Sequence, residues 1–253
     1  MIRQARGAAL LLVLPFLLGQ PKPAGGPIGA KIWVGRHSEI EEYLRTAECV
    51  NMEVFKFAAR CSLRPGGPVA RMAWRARPPG IYRGFRESYK AEIAAYEVDK
   101  LLKLDMVPPS VERRLDDQTG AAQLWVEDVV DSNSSAPPDE SIRNRWENEL
   151  ARMTIFDNLI GYRDRNTGNM LHDTSWNLIL IDHSRAFSTS ADLPRTMTRS
   201  DGTLWKAIID LPRSRLEAAL SPWLSKDEIG AVVARREKMK AQIKSLPGST
   251  QVR

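Results

Sequence analysis

The sequence predicts an α+β fold in two lobes, a small β-rich N-terminal lobe with one helix and a mainly helical C-terminal lobe. Three observations predict it: a hairpin pattern precedes a strongly periodic helix, two more strands follow that helix, and the second half is mostly helical in pattern. Strands followed by a run of helices are typical of the α+β class. The cleft between two such lobes is a common ligand site.

The first twenty residues differ in composition from the rest of the chain. Arg3 and Arg6 precede an apolar run over residues 8–18, a pattern typical of a signal peptide and short for a membrane span. We therefore expect residues 1–20 to be a signal peptide or an uncleaved anchor, and residues 21–36 to be a linker rich in Pro and Gly. The basic residues favour a cytoplasmic N-terminus and an exported body, periplasmic, secreted or in the secretory pathway. A buried N-terminal helix is the alternative, which the lack of a polar face opposes.

The net charge of +6 is concentrated at the two ends of the chain. Residues 226–253 hold seven Lys and Arg against three Asp and Glu, and the leader adds two Arg. Basic residues within one helix are typical of a solvated face, so no nucleic-acid partner is expected. Contact with a membrane is expected only if the N-terminal segment is an uncleaved anchor.

Cysteine and histidine usage limits the kinds of site that the chain can form. Cys49 and Cys61 are its two cysteines, and they allow one disulfide in an oxidising compartment without establishing it. The three histidines have no zinc-ligand spacing. The sequence therefore predicts neither a disulfide framework nor a zinc site.

Residues 37–130 are predicted to form the N-terminal lobe. A helix is expected over Ser38–Thr46, with Ser38 as its cap and Glu41 as the capping-box partner. Alternation over residues 50–63, a Pro/Gly turn and a second run over residues 69–76 predict a hairpin.

The helix of this lobe has the clearest periodicity in the chain. It is expected over residues 87–104, and two strands, 109–112 and 121–126, are expected after it around a polar turn at 116–120. One face of the helix carries Ala94, Val98, Leu101 and Leu102.

Residues 131–253 are predicted to form the C-terminal lobe. A polar loop over residues 132–139 leads into a second strong helix over 142–160, and a hairpin ends in a strand over 177–181. Three helical segments follow, at residues 204–209, 213–220 and 226–245.

Three polar residues around the hairpin have the residue types of a phosphoryl-transfer site. Asp164 and Asn169 lie in a loop after the long helix, and Asp182 follows a buried strand. Transfer from ATP needs one group to receive the proton of the attacking hydroxyl and oxygen ligands for the metal on the phosphates. Taken singly, each residue fits a turn, because Asp and Asn favour turns. Their combination favours a site.

Three segments of this region resemble kinase motifs. Phe156–Arg165 resembles the pattern Phe-Asp-x-Leu-Ile-Gly-(two residues)-Asp-Arg of secretory-pathway kinases of the Golgi casein kinase and four-jointed type. Asp164–Asn169 and Ile181–Ser184 resemble the catalytic loop and the metal motif of the phosphatidylinositol 3-/4-kinase superfamily. The bacterial toxin kinase HipA uses a related arrangement.

The first lobe resembles the same kinases. Ala91–Tyr96 is similar to their Ala-Glu-Ile-Ala-Ala-Phe helix, and Val107–Pro109 to the Val-Pro-Pro that follows it. The resemblance covers roughly residues 50–190 and extends to uncharacterised bacterial relatives. It implies a two-lobed, protein-kinase-like fold and an atypical, ATP-dependent kinase.

The resemblance also implies roles for particular residues. Asp164 would be the catalytic acid/base, and Asn169 and Asp182 would bind Mg²⁺ or Mn²⁺. The residues implied near the phosphates of ATP are Arg75 and Glu92; the alternative for Glu92 is a solvated position on the helix. Glu127, Asp128 and Val129 would form the hinge, whose backbone would meet adenine.

Three features depart from the family pattern. Arg75 stands where the family has Lys, the residue that pairs with the helix Glu in kinases, and its planar fork differs from a Lys point charge. Residues 54–63, expected to carry the loop over the phosphates, contain no glycine. Asn166 replaces the loop His, and Ser184 replaces Gly after the metal Asp.

The sequence supports three functional hypotheses. The first is an exported, metal-dependent kinase that phosphorylates a hydroxyl of an unknown protein, sugar or lipid. The second is a pseudokinase that binds nucleotide or a partner without catalysis. The third is an exported structural protein in which Asp164, Asn169 and Asp182 only form turns.

Overall fold

The computed structural model describes residues 30–55, 58–199, 201–244 and 246. The expected leader lies outside these residues, as does the linker before residue 30. Among the residues described, no helix is both long and apolar enough to cross a membrane. The first ten elements are α1 (His37–Thr46), β1 (Cys49–Val54), β2 (Ala59–Leu63), β3 (Arg71–Arg75), β4 (Gly80–Tyr82), β5 (Phe85–Glu87), α2 (Tyr89–Leu102), β6 (Ser110–Leu115), β7 (Gln118–Leu124) and β8 (Val129–Asp131). The remaining elements are α3 (Glu140–Ile160), a 3-10 turn (Thr167–Asn169), β9 (Met170–Asp173), β10 (Leu178–Leu180), α4 (Gly202–Asp210), α5 (Arg213–Leu220) and α6 (Lys226–Lys244).

The strands form an antiparallel N-terminal sheet and two small sheets. The five-stranded sheet has the order β1-β2-β3-β7-β6, the three-stranded sheet has the order β10-β9-β8, and β4 pairs with β5. Cys49 and Cys61 form a disulfide that joins β1 to β2, with Cα atoms 5.7 Å apart. The predicted α+β class is confirmed, because a β-sheet N-terminal region precedes a helical C-terminal region.

The hydrophobic core has two main clusters, which meet around α2 and the β9–β10 hairpin. One packs α1 against the five-stranded sheet and includes Trp33, Ile40, Met72, Trp74 and Ile179. The other joins α2, α3 and the C-terminal helices and includes Tyr96, Phe156, Phe187, Leu220 and Met239. Ile179 and Leu180 are adjacent on β10 but belong to different clusters, since alternate strand residues face opposite sides.

Gly120 is required where β7 pairs with the end of β3. A Cβ at this position would lie 2.4 Å from the Arg75 carbonyl oxygen and 2.7 Å from the Ala76 Cα. Both atoms belong to the backbone and cannot rotate away. Glycine therefore allows β7 to approach the end of β3 closely, and this contact fixes the backbone of Arg75.

Several predicted boundaries were wrong. Ser38 does not cap α1, since the helix begins at His37 and has no side-chain cap; Glu41 instead accepts hydrogen bonds from Tyr96 Oη at 2.8 Å and Lys100 Nζ at 2.9 Å. The 50–63 run contains two strands rather than one, and β2 pairs with β3 in the expected hairpin. Helix α2 begins only after Ser88, whose hydroxyl accepts from the Lys90 amide.

Asp99 anchors the end of α2 and gives a stability prediction that depends on pH. Its buried Oδ1 accepts hydrogen bonds from the amides of Met106 and Val107 at 3.0 and 3.1 Å, while Oδ2 has no partner among the described residues. Burial raises the pKa of Asp99 to about 7, although the two amide bonds and Lys31 act against that rise. Since an unfolded Asp titrates at about 3.9, the folded state retains a proton that the unfolded state has lost between these values, and stability falls as pH rises through this window.

We expect Asp99→Asn to remove this slope, because an amide keeps the oxygen acceptor and cannot ionise. Relative to wild type, the variant should gain about 2 kcal/mol of unfolding free energy between pH 5 and pH 8. Urea denaturation at both pH values measures it. Asp117→Asn, on the exposed β6–β7 turn, is the control and should leave the profile unchanged. Parallel profiles for wild type and Asp99→Asn would contradict this account.

Candidate active site

Arg75 at the end of β3 joins two acidic residues from other parts of the chain. Its Nη1 lies 3.1 Å from Glu92 Oε1 on α2 and also contacts Asp182 Oδ1 after β10. Glu92 is 1% exposed and its Oε2 accepts a hydrogen bond from the His183 amide at 2.8 Å. This cluster therefore ties the sheet, α2 and the segment after β10 together at one point.

In this cluster, attraction between the opposite charges opposes the free-energy cost of burying them. Although burial opposes its charge, the carboxylates of Glu92 and Asp182 raise the pKa of the Arg75 guanidinium. Burial raises the pKa of Glu92, against the opposing effect of Arg75. Arg75 Nε is buried and has no hydrogen-bond partner among the described residues. One donor of this cation is thus left without a protein acceptor.

The loop after α3 positions Asp164 through its backbone. Gly161 ends α3 in the left-handed conformation, with φ 68°, and the chain turns into the loop. Asn169 Nδ2 donates to the Asp164 carbonyl at 3.0 Å and to Tyr162 Oη at 2.9 Å, and Asn169 Oδ1 accepts from the Asn166 amide at 3.0 Å. These bonds fix the loop and leave the carboxylate of Asp164 free to point elsewhere.

Asp164 pairs with an arginine that the sequence did not indicate. Arg185 Nη1 donates to Asp164 Oδ2 at 2.9 Å, and Arg185 Nη2 donates to Glu87 Oε1 at 2.7 Å. Glu87 also pairs with Arg77. The hydrogen bonds of Glu87 raise the pKa of Arg185, as does the charge of Asp164. The part of the site around Asp164 and Glu87 is therefore rich in guanidinium groups.

A cavity of about 300 Å³ brings the predicted catalytic and metal-binding acids together. Asp164 and Asp182 both line it, with 49% and 47% of their side chains exposed. Phe55 and Ala58, from the turn between β1 and β2, line the same cavity, where the phosphate loop was expected. The charged residues of its wall are Arg75, Arg77, Glu87, Asp164, Asp182 and Arg185.

A second cavity of about 440 Å³ lies along the segment after β7. Trp125 and the predicted hinge residues Glu127, Asp128 and Val129 line it. The Glu127 side chain pairs with Arg71, which lines the same cavity, and its Oε1 accepts from Arg71 Nε at 2.7 Å. Arg75 lines both cavities and therefore marks the place where they meet.

A buried ion-pair network supports the loop from behind. Asp157, fully buried on α3, accepts from Arg165 Nη2 at 2.9 Å and from Arg195 Nε at 3.2 Å. Arg165 also donates to the Ile181 carbonyl at 3.2 Å and contacts His183 Nε2 at 2.9 Å. Burial, with the positive charge of Arg165 and Arg75, holds the pKa of His183 well below its usual range, so its neutral ring can accept.

Sequence reasoning missed most of these supporting residues. Asp157 and Arg165 stood within the kinase-like pattern but had no role there, and their presence in that pattern was the available signal. Tyr162 hydrogen-bonds the Asp182 carbonyl and had no signal at all. Glu87 and Arg185 lie 98 residues apart, and no local pattern connects them.

The donor set fits a nucleotide-bound divalent metal better than a free one. Among the described residues, no group of three or more His, Cys, Asp or Glu side chains could hold a metal alone. Mg²⁺ and Mn²⁺ sites in kinases commonly combine one or two carboxylates with phosphate oxygens. Asp182 offers such a carboxylate, whereas Asn169 is 4% exposed and lies behind the cavity wall.

The chain has a protein-kinase-like fold, as comparison with solved structures shows. The crystal structure of the Golgi casein kinase with Mn/ADP bound superposes with a TM-score of 0.63 at 14% identity, over 85% of this chain and 77% of that one. The structure of hydra Fam20 with sugar gives a TM-score of 0.63 at 15% identity, over 82% and 88%.

A bacterial kinase has the same fold at a lower level of similarity. The Helicobacter pylori proinflammatory kinase CtkA gives a TM-score of 0.50 at 12% identity, over 79% of this chain and 94% of that one. No family model and no curated protein matches the sequence. The likeness to these kinases therefore rests on the fold.

Proposed function

We propose that this chain is an atypical kinase that transfers the γ-phosphoryl group of ATP to a hydroxyl, with Mg²⁺ or Mn²⁺ on the nucleotide. One observation carries the proposal: Arg75 lines both cavities, and its buried Nε has no hydrogen-bond partner within the part of the chain that the structure describes. A cation between a cavity lined by Trp125 and a cavity lined by Asp164 and Asp182 is suited to the phosphates of a nucleotide. The base would then lie along the hinge and the acceptor beside Asp164.

The chemistry follows from the groups on the cavity walls. The acceptor oxygen forms a bond to the γ-phosphorus, the bond from that phosphorus to the ADP oxygen breaks, and the acceptor proton passes to the Asp164 carboxylate. Asp182 would hold the metal on the phosphates, and the metal would supply charge neutralisation there. Asn169, the second ligand that the resemblance implies, holds the loop with both of its side-chain polar atoms and is 4% exposed. Arg75 orients the phosphates, and Glu92 holds Arg75 in place.

Arg185 has a defined part in this scheme. It holds the Asp164 carboxylate through Oδ2, so an acceptor hydroxyl would donate to the other oxygen, Oδ1. Glu87 holds the other side of the same guanidinium, which limits how far Arg185 can move. Arg185 is thus a positioning residue for the catalytic base rather than a group that reacts.

The proposal includes the cellular setting and the division of the chain. Residues 37–130 would be the lobe over the nucleotide and residues 131–253 the lobe that carries Asp164, with a basic C-terminal helix. Export is supported by the leader pattern and by the disulfide between Cys49 and Cys61. The acceptor is a hydroxyl of a protein, a sugar or a lipid; neighbours named for casein and solved with sugar make casein and a free sugar the first compounds to try.

Thermal unfolding of the full chain with ATP tests the proposal. At saturating ATP with Mg²⁺ or Mn²⁺ we expect a rise in Tm of about 5–10 °C, because ligand at about 100 times its Kd adds about 2.7 kcal/mol to the folded state. Asp182→Ala should lose the metal-dependent part of the rise, since it removes the exposed carboxylate.

Asp192→Ala, an exposed acid paired with Lys238, is the matched control and should respond as wild type does. A wild-type Tm that ATP and either metal leave unchanged would overturn the proposal. An equal metal-dependent rise in Asp182→Ala would remove Asp182 from the metal site.

A further inference from the structure

Gln123 lies in the wall of the second cavity, and its amide nitrogen has no hydrogen-bond partner within the described part of the chain. It lies on β7, 3% exposed, and its Cα pairs with Ala73 on β3 and Ser110 on β6. Both Gln123 and Ala73 line the cavity that Trp125 borders. The Gln123 Nε2 is buried and has no hydrogen-bond partner among the described residues.

A second unpaired group lies beside it. The hydroxyl of Ser110, 1% exposed, also lacks a partner within the described part of the chain. Buried amides and hydroxyls are nearly always hydrogen-bonded in folded proteins, and leaving one unpaired costs free energy. Ser110 lies opposite Gln123 in the strand register but outside the cavity wall. The unpaired Gln123 amide, which is in that wall, is best explained by a polar ligand group in the cavity.

The position of Gln123 sets which part of a nucleotide it meets. Arg75 lies two residues further along β3 from Ala73, on the same face of the strand, because side chains alternate along strands. With the phosphates at Arg75, the base reaches the end of the cavity formed by Gln123 and the hinge. Gln123 then faces an edge of the base and not the sugar or the phosphates.

We propose that Gln123 reads the nucleobase and selects ATP over GTP, an inference that rests on the proposed kinase function. A glutamine amide has one donor and one acceptor side by side, which matches the N7 acceptor and the N6 donor of adenine. Guanine presents two acceptors, N7 and O6, on the same edge. The amide oxygen would then face the guanine O6, and one of the two hydrogen bonds is lost.

Affinities for ATP and GTP with Mg²⁺ test the inference in wild type and in Gln123→Leu. Leu keeps the volume of the side chain and removes both hydrogen-bonding groups. Wild type should prefer ATP by about 10- to 100-fold, in line with what one bidentate pair contributes to base discrimination. Gln123→Leu should bring the ratio of the two affinities close to one.

The matched control is Gln118→Leu, the same change on the same strand at an exposed position. It should keep the wild-type ratio. 7-Deaza-ATP, which lacks the N7 acceptor, is a probe that needs no variant: wild type should bind it more weakly than ATP, and Gln123→Leu should bind both equally.

The outcomes are distinguishable. If Gln123→Leu weakens ATP and GTP by the same factor, the residue is structural and the inference fails while the kinase function stands. Equal binding of ATP and 7-deaza-ATP by wild type would overturn the inference even if the variant does not fold. If wild type binds none of the nucleotides, the proposed function fails and the base-reading role fails with it.

Discussion

Replacing Asp164 by Asn is expected to lower phosphoryl transfer by about 10²- to 10⁴-fold, the usual contribution of a positioned general base. The amide has nearly the same shape but cannot take up the proton of the acceptor. The loop should remain in place, because Asn169 holds it through the Asp164 backbone carbonyl and not through the carboxylate. Release of phosphate from ATP and labelling of an acceptor panel with [γ-³²P]ATP measure the effect.

Binding must be measured beside transfer for this variant. ATP affinity should stay within a few-fold of wild type, since the proposed function assigns the acceptor to Asp164 and the metal to Asp182. Asp192→Asn, an exposed substitution of the same kind, should leave both quantities unchanged. Transfer at the wild-type rate in Asp164→Asn would remove Asp164 from the role of base.

Replacing Asp157 by Asn is expected to cause the largest loss of stability. The substitution leaves Arg165, whose side chain is 1% exposed, and Arg195 without their shared carboxylate. Breaking one partner of a buried ion pair costs about 3–5 kcal/mol, which corresponds to a fall in Tm of about 10 °C for a chain of this size. Chemical denaturation and calorimetry measure the change.

The control for this variant breaks an ion pair on the protein surface, where both side chains are exposed to water. Asp210→Asn removes the exposed partner of Lys206 on α4, and exposed helix pairs are worth about 0.3–0.5 kcal/mol. A loss in Asp157→Asn no larger than this control would mean that the network behind the loop does not hold the fold together.

The fold and the walls of the site follow from local sequence patterns to a large extent. Helix periodicity predicted α2 and α3, because one apolar face of each must be buried. Asp164 and Asp182 flank a hairpin, so a prediction of the hairpin brings them to one place. The predicted hinge residues, Glu127, Asp128 and Val129, come soon after β7. This position in the chain places them along the second cavity.

What the sequence does not predict depends on contacts between distant segments. Arg185 and Glu87 meet because the segment after β10 lies against the start of α2, where the Ser88 amide donates to the Ser184 carbonyl, and neither residue has a local signal. In the sequence, Gln123 has the pattern of an ordinary strand residue. Its pairing with Ala73 in the sheet places it in the wall of the second cavity. Helix α1 was given the wrong cap because Glu41 is used by the α2 residue Lys100, a contact that the capping pattern does not take into account.

The replacement of the expected lysine by Arg75 has a structural explanation. Its Nη1 contacts both Glu92 and Asp182, so the cation satisfies the helix acid and the acid after β10 together. The Arg75 Nε takes no part in these contacts and has no hydrogen-bond partner among the described residues. The glycine-free turn between β1 and β2 is compatible with this arrangement, because a guanidinium can supply donors to phosphates that a glycine-rich backbone otherwise supplies.

A structure of the full chain with Mn²⁺ and the non-hydrolysable analogue AMP-PNP tests the central claim most directly. The account predicts an anomalous manganese signal in coordination contact with Asp182, phosphates at Arg75, and the adenine ring along Trp125 to Val129 beside Gln123. The Asp182–Arg75 ion pair should open as the metal takes the carboxylate. Nucleotide bound elsewhere, or none bound at saturating concentration, would contradict the account.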